Sequence, residues 1–271
     1  MSEVEARSSR WPLLLGIVAL LLTGALALLG GWLWILDGAA DDGVGNGATN
    51  GRVSYPAAAQ DGYAVWERND DGVPVRWDPC EPIELVLAPD GWPDGTRADL
   101  DAAIDTLGRA SGLDLEIVGT TDERPSGSRL PYQPERYGER WAPVLIAWAE
   151  PGEAGLPLRD IDRGVAVPVA VGTEGDRTYV SGQVVFNVDR DDLECGSADR
   201  SSSWRATILH ELAHLLGLAH VDDPDQLMYT YPGEGPVILG DGDLRGLEAV
   251  GERHGCRTTP PAGAVEVTPT P

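Results

Sequence analysis

Residues 210–220 read HELAHLLGLAH and hold three of the four histidines in the chain. His210 and His214 are four residues apart, so on a helix both imidazoles project from one face. They can then reach a common ion at about 2.0 to 2.1 Å from each nitrogen. Glu211 is one residue on and rotated by about 100° around the helix. From there its carboxylate stands beside the ion without ligating it and can take a proton from an activated water. A continuing helix would carry the third histidine away. Gly217 has no Cβ, so the helix can end there in a left-handed conformation, and three more residues return His220 to the ion. Three neutral imidazoles leave a fourth position for water or substrate, which is the arrangement of a catalytic zinc site and not of a closed structural one.

These side chains need a rigid frame. Ile208, Leu209, Leu212, Leu215 and Leu216 give the motif helix an apolar face to bury against a sheet. In PIELVLA (82–88), Ile83, Leu85 and Leu87 alternate with Glu84 and Val86 as a strand requires. Leu100, Ala103, Ile104, Leu107 and Ala110 recur at helical spacing in 94–112, with Gly112 as C-cap. Residues 113–119 (LDLEIVG) and 143–149 (PVLIAWA) are short strand candidates bounded by Gly or Pro. GVAVPVAVG (164–172) is another, placed at a sheet edge because Pro168 cannot donate to a ladder. TYVSGQVVFNVD (178–189) is more interior. The order predicts an α/β (α+β) domain with a mixed sheet of about five strands, the motif helix and a C-terminal helix.

HELAHLLGLAH followed by QLMYTYP resembles the metzincin clan of zinc endopeptidases, and within it the matrixin-like branch. The resemblance implies a zinc-activated water that attacks a peptide carbonyl, with Glu211 as general base returning the proton to the leaving amine. It also implies a turn at Met228 under the site, packing its thioether below the histidine rings. The edge strand at 164–172 would bind the substrate as an added strand. Pocket specificity would lie after Met228, in residues such as Tyr231 and Pro232. Two departures stand out. Where some members carry an additional tyrosine ligand two residues past the methionine, this chain has Thr230, between Tyr229 and Tyr231, so no tyrosine ligand is expected. No cysteine occurs in 37–79, and WDPCEPI around Cys80 does not match the PRCGxPD-like latency segment of matrixins.

The 44 acidic residues against 20 basic ones, all of them arginine, give a net charge of -24. Such a surface repels nucleic acid and anionic headgroups, so neither is an expected partner. From Trp11 to Leu36 no residue is charged, and as a helix that run would reach roughly 39 Å, enough to span a bilayer. Trp11, Trp32 and Trp34 sit at its ends, with Arg7 and Arg10 before it and Asp37, Asp41 and Asp42 after it. That predicts a cytoplasmic N-terminus (1–10), a membrane anchor (11–36) and an extracytoplasmic domain. The alternative is secretion after cleavage, but the run exceeds an h-region of roughly 7 to 15 residues and no A-x-A site follows. Residues 37–62 read as a flexible stalk, 63–256 as the catalytic domain, and the Pro/Thr-rich 257–271 as a disordered tail.

Cys80, Cys195 and Cys256 leave three pairings open. Cys80 with Cys256, which would tie the first strand to the end of the last helix, is the one expected, leaving Cys195 free. DRDDLE (189–194) offers carboxylates to calcium but lacks EF-hand spacing, so it reads as a solvated acidic loop. His254 is placed at the C-terminal dipole of the last helix and given no metal role. Against the endopeptidase stands a catalytically silent, membrane-anchored zinc-binding or protein-binding module of the same fold. Glu211 separates the two, since holding zinc does not require it.

Overall fold

The computed structural model describes residues 61–196, 202–230 and 237–264. The expectations for the anchor at 11–36, the stalk up to residue 60, Tyr231, Pro232 and residues 265–271 lie outside these. Among the described residues, no helix is long and apolar enough to cross a membrane.

Five strands form the main sheet: β2 (Ile83–Leu87), β3 (Leu115–Thr120), β4 (Val144–Ala149), β5 (Gly164–Thr173) and β6 (Asp176–Asn187), in the order β3-β2-β4-β6-β5. β3, β2, β4 and β6 run parallel, and β5 returns antiparallel along β6 as an edge. Pro168 faces Gly182 across that last ladder, at the edge where a residue without an N–H is tolerated. A separate two-stranded ladder joins β1 (Ala64–Val65) to β7 (Leu218–Ala219).

Strand side chains alternate between two buried faces. Leu85, Leu87, Ile146, Trp148, Val184 and Phe186 share the main core with Leu100 and Leu107 of α1 (Thr96–Ser111) and with Ile208, Leu212 and Leu215 of α2 (Trp204–Leu216). The other face carries Val86 and Leu145 under Tyr137, and Val165 and Val185 under Leu156 and Leu158. Long loops therefore cover the face that the alternation of Glu84 suggested would be polar. A buried ion pair pins the first loop, with the Arg129 guanidinium 3.0 Å from Glu123 Oε1 and donating onward to the Gly182 and Pro143 carbonyls. Burial alone would raise the Glu123 carboxyl. Arg129, with Tyr137 and Gln133, outweighs that and holds it below the usual range.

The motif helix α2 is capped by Ser203, whose hydroxyl accepts from the Ala206 N–H. It is buried on nearly every side, not on one face alone, because α1 and β5 pack on it as well as the sheet. Trp204 fixes its first turn, with ring centroids 5.9 Å from Trp148 and 6.1 Å from Phe186. Such aromatic pairs add about 0.5 to 1.5 kcal/mol each beyond area burial.

One expectation is corrected at the end of the domain. The last helix, α3 (Asp241–Val250), stops before Gly251, and His254 lies in a separate 3-10 turn, Glu252–His254. It is exposed, and desolvation with Arg76 and Arg253 lowers its pKa, opposite to the effect of a helix C-terminus. Beyond it, the Arg257 N–H donates to Asp78, and the Trp141 indole donates to the Pro260 carbonyl at 2.8 Å. At the other end, Asp61 and Gly62 meet α3, and the Arg245 guanidinium donates to the Asp61 carbonyl at 2.7 Å. Cys80 and Cys256 are disulfide-bonded, and Cys195 is free and exposed.

Candidate metal centre

α2 presents His210 and His214 one turn apart and ends at Gly217, whose φ of 114° lies in the left-handed region closed to most residues. A Cβ there would also stand 3.2 Å from the Tyr179 ring. The chain turns back through β7 and brings His220 to the other two. His220 Nε2 lies 3.1 Å from His210 Nε2 and 3.2 Å from His214 Nε2. Four donors at zinc bond lengths of 2.0 to 2.1 Å in a tetrahedron are about 3.3 Å apart, so the spacing suits one ion.

The tautomers agree. His210 Nδ1 donates to the Leu227 carbonyl at 2.9 Å, and His214 Nδ1 donates to the Leu218 carbonyl at 2.8 Å. Carbonyl oxygens only accept, so both Nε2 atoms turn bare lone pairs toward His220. One Nε2–H on His220 can serve one of them and not both. A cation serves all three, and the donor set fits zinc. Burial pushes His210 down to about 4 and His220 to about 3, and with the neighbouring imidazoles holds His214 well below its ordinary value. The ligands are therefore neutral, as metal binding requires.

Glu211 is buried beside them, and burial, with Asp162 adding to it, raises its carboxyl to about 8. A dication alongside would favour the carboxylate and oppose that rise. Its neighbour across the cleft is the first residue of the edge strand. A Cβ on Gly164 would fall 2.8 Å from Glu211 Cγ, so β5 reaches the glutamate only because that residue is glycine. Residues 164–172 therefore pass directly by the histidine helix.

Behind the site runs the segment around Met228, which is buried in the main core. Its N–H donates to Asp243 Oδ1 at 3.2 Å, and its carbonyl accepts from Val221 at 2.9 Å. Asp243 Oδ2 accepts from Leu227 at 2.6 Å and from Gly240 at 2.8 Å. The carboxylate thus holds the turn whose Leu227 carbonyl orients His210. Thr230 is occupied with the Val221 carbonyl through both its N–H and its hydroxyl. In the 189–194 run the Arg190 guanidinium engages Asp192 at 2.7 Å.

With the geometry in place, the comparison with known proteins can be read: the family model described as Matrixin matches residues 164–250. That stretch is matrixin-like. The match opens at Gly164, takes in β5, β6, the histidine motif and Met228, and closes with α3. β2, β3, β4 and α1 lie before the matched residues but share their sheet and core. No curated protein matches the chain.

Of the residues singled out in the sequence, the structure brings His210, His214 and His220 together, places Glu211 next to His210 on the same helix, ends that helix at Gly217 and buries Met228 in the main core. Gly164 and Asp243 were not singled out. Gly164 was visible only as the start of a strand. Asp243 stood in the first turn of a helix, where an acid is unremarkable, and its partners are backbone groups that carry no sequence signal.

Proposed function

We propose that this matrixin-like domain is a zinc endopeptidase held outside the cytosol by the apolar segment at 11–36. The observation that carries the enzymatic reading is the convergence of three neutral Nε2 donors beside a buried glutamate that is not itself a ligand. Bound by His210, His214 and His220, zinc would supply the Lewis acidity that makes a water nucleophilic near neutral pH.

The chain's own residues do the rest. Glu211 takes the proton as the water attacks a peptide carbonyl and returns it to the leaving amine. The Leu227 and Leu218 carbonyls keep the imidazoles of His210 and His214 fixed, so no reorganisation is spent on the ligands. The free side of β5 aligns an extended peptide by backbone hydrogen bonds, and Gly164 lets that strand lie close to Glu211. Met228 and the turn around it support the site from below. The Cys80–Cys256 disulfide accords with an oxidising compartment.

The deciding comparison is wild type against Glu211→Ala on a denatured protein substrate. The enzymatic reading requires cleavage to fall by about 10² to 10⁴-fold while zinc content and fold persist. Equal cleavage by the two would sink it, and a zinc-loaded wild type that cuts nothing in a broad peptide library would favour the silent module.

A further inference from the structure

We infer that Trp66, with the strand it closes, is a positioning residue of the metal centre, clamping the turn that delivers His220. This rests on the reading of His210, His214 and His220 as zinc ligands. The turn from Gly217 to Ala219 separates the second and third ligands, and β1 lies against its whole length. Ala64 pairs with Ala219 and Val65 with Leu218, and the Trp66 N–H donates to the Gly217 carbonyl at 3.1 Å. The Trp66 indole N–H donates to the His214 carbonyl at 3.1 Å, and its ring lies 5.0 Å from the His214 imidazole. Leu218 thus pairs with Val65 and at the same time offers His214 Nδ1 its carbonyl at 2.8 Å.

The segment is itself held from behind. The Arg245 guanidinium donates to the Asp61 carbonyl, and two glycines of α3 make room for the backbone. A Cβ on Gly242 would stand 1.9 Å from the Gly62 carbonyl oxygen. One on Gly246 would stand 2.9 Å from Leu218 Cδ2 and 3.0 Å from Tyr63 Cβ. Residues 61–66 therefore fill a slot between α3 and the ligand-bearing turn, and on the other side of that turn Val221 bridges Tyr229. Removing β1 would leave the Leu218–Ala219 backbone without its ladder and the His214 carbonyl with one donor fewer. Groups that orient ligands in this way are worth about 10 to 100-fold in metal affinity.

The test uses the full-length chain, zinc competed against a chromogenic chelator, and the visible spectrum of the cobalt-substituted protein. Trp66→Ala is expected to raise the zinc Kd by at least about tenfold and to change the cobalt spectrum, with Trp66→Phe, which keeps a ring but drops the donor, in between. Gly246→Ala, which displaces the segment from the α3 side without touching a ligand, should move Kd in the same direction. Leu145→Ala, in the core on the face of the sheet opposite the motif helix, should lower the melting temperature and leave both readouts unchanged. If Trp66→Ala does not fold, Trp66→Phe and Gly246→Ala decide. Zinc affinity within about twofold of wild type in the folded variants would overturn the inference, as would an equal loss in Leu145→Ala. A wild-type chain that takes up no zinc would overturn the metal reading itself, and this inference with it.

Discussion

Asp243 shows how one carboxylate can serve a site it never touches. It accepts three backbone N–H groups, from Leu227, Met228 and Gly240, and through the Leu227 carbonyl it fixes the ring of His210. Asp243→Asn turns one acceptor oxygen into a donor and faces it toward amides that need acceptors, at a cost of about 1 to 3 kcal/mol for each group left unpaired. A lower melting temperature with weaker zinc binding is the expected outcome. Asp243 also titrates in a direction of its own. Burial raises its carboxyl above the ordinary value, against the lowering effect of the three amides. The folded state therefore takes up the proton before the unfolded chain does. Its contribution to stability is fullest below the ordinary carboxylate pKa and falls as pH rises through the raised one. The melting-temperature difference between wild type and Asp243→Asn should grow as pH is lowered toward the ordinary carboxylate range, and a difference that shrinks would refute the assignment.

Among the elements, the turn at Gly217 is the joint between helix and site. Gly217→Ala places a Cβ at a φ of 114° and against Tyr179. A strain of about 1 to 3 kcal/mol and a displaced His220 are expected, read as a lower melting temperature together with a raised zinc Kd. Unchanged affinity would mean that the turn tolerates a side chain. This joint was legible because the chemistry demands it: three ligands on one ion cannot lie on one straight helix. The strands were legible as well, from period-two runs bounded by Gly and Pro, and Pro168 marked its strand as an edge. The contacts made through backbone were not. The β1 to β7 ladder joins residues whose side chains take no part in the pairing, and two-residue strands are too short to show a period. Nor could the loop over Val86 and Leu145 be foreseen, since its Glu123–Arg129 pair reads in sequence as two ordinary surface charges.

At the scale of the whole molecule, two features bear on where the proposed enzyme would sit and on how durably it stays folded. The uncharged run from 11 to 36 should carry the full-length chain into the membrane fraction and keep it there through an alkaline carbonate wash, whereas a chain beginning at residue 37 should be released. Full release of the full-length protein would replace the anchor with a cleaved leader. The second feature is the disulfide joining Cys80, just before β2, to Cys256, just after α3, across a separation of 176 residues. A closure of that length removes about 5 kcal/mol of denatured-state entropy in the chain-entropy model, and measured losses run from about 2 to 5 kcal/mol. Its neighbourhood has other ties, since the Arg76 guanidinium donates to the His254 and Gly255 carbonyls and the Arg257 N–H donates to Asp78. In the folded protein those ties hold the termini of the domain in place without the covalent bond. The paired substitution Cys80→Ser with Cys256→Ser should therefore lower the melting temperature substantially and leave the zinc Kd of the folded protein within about twofold of wild type. The opposite pattern, an intact melt with weakened zinc, would mean that the bridge acts on the centre directly.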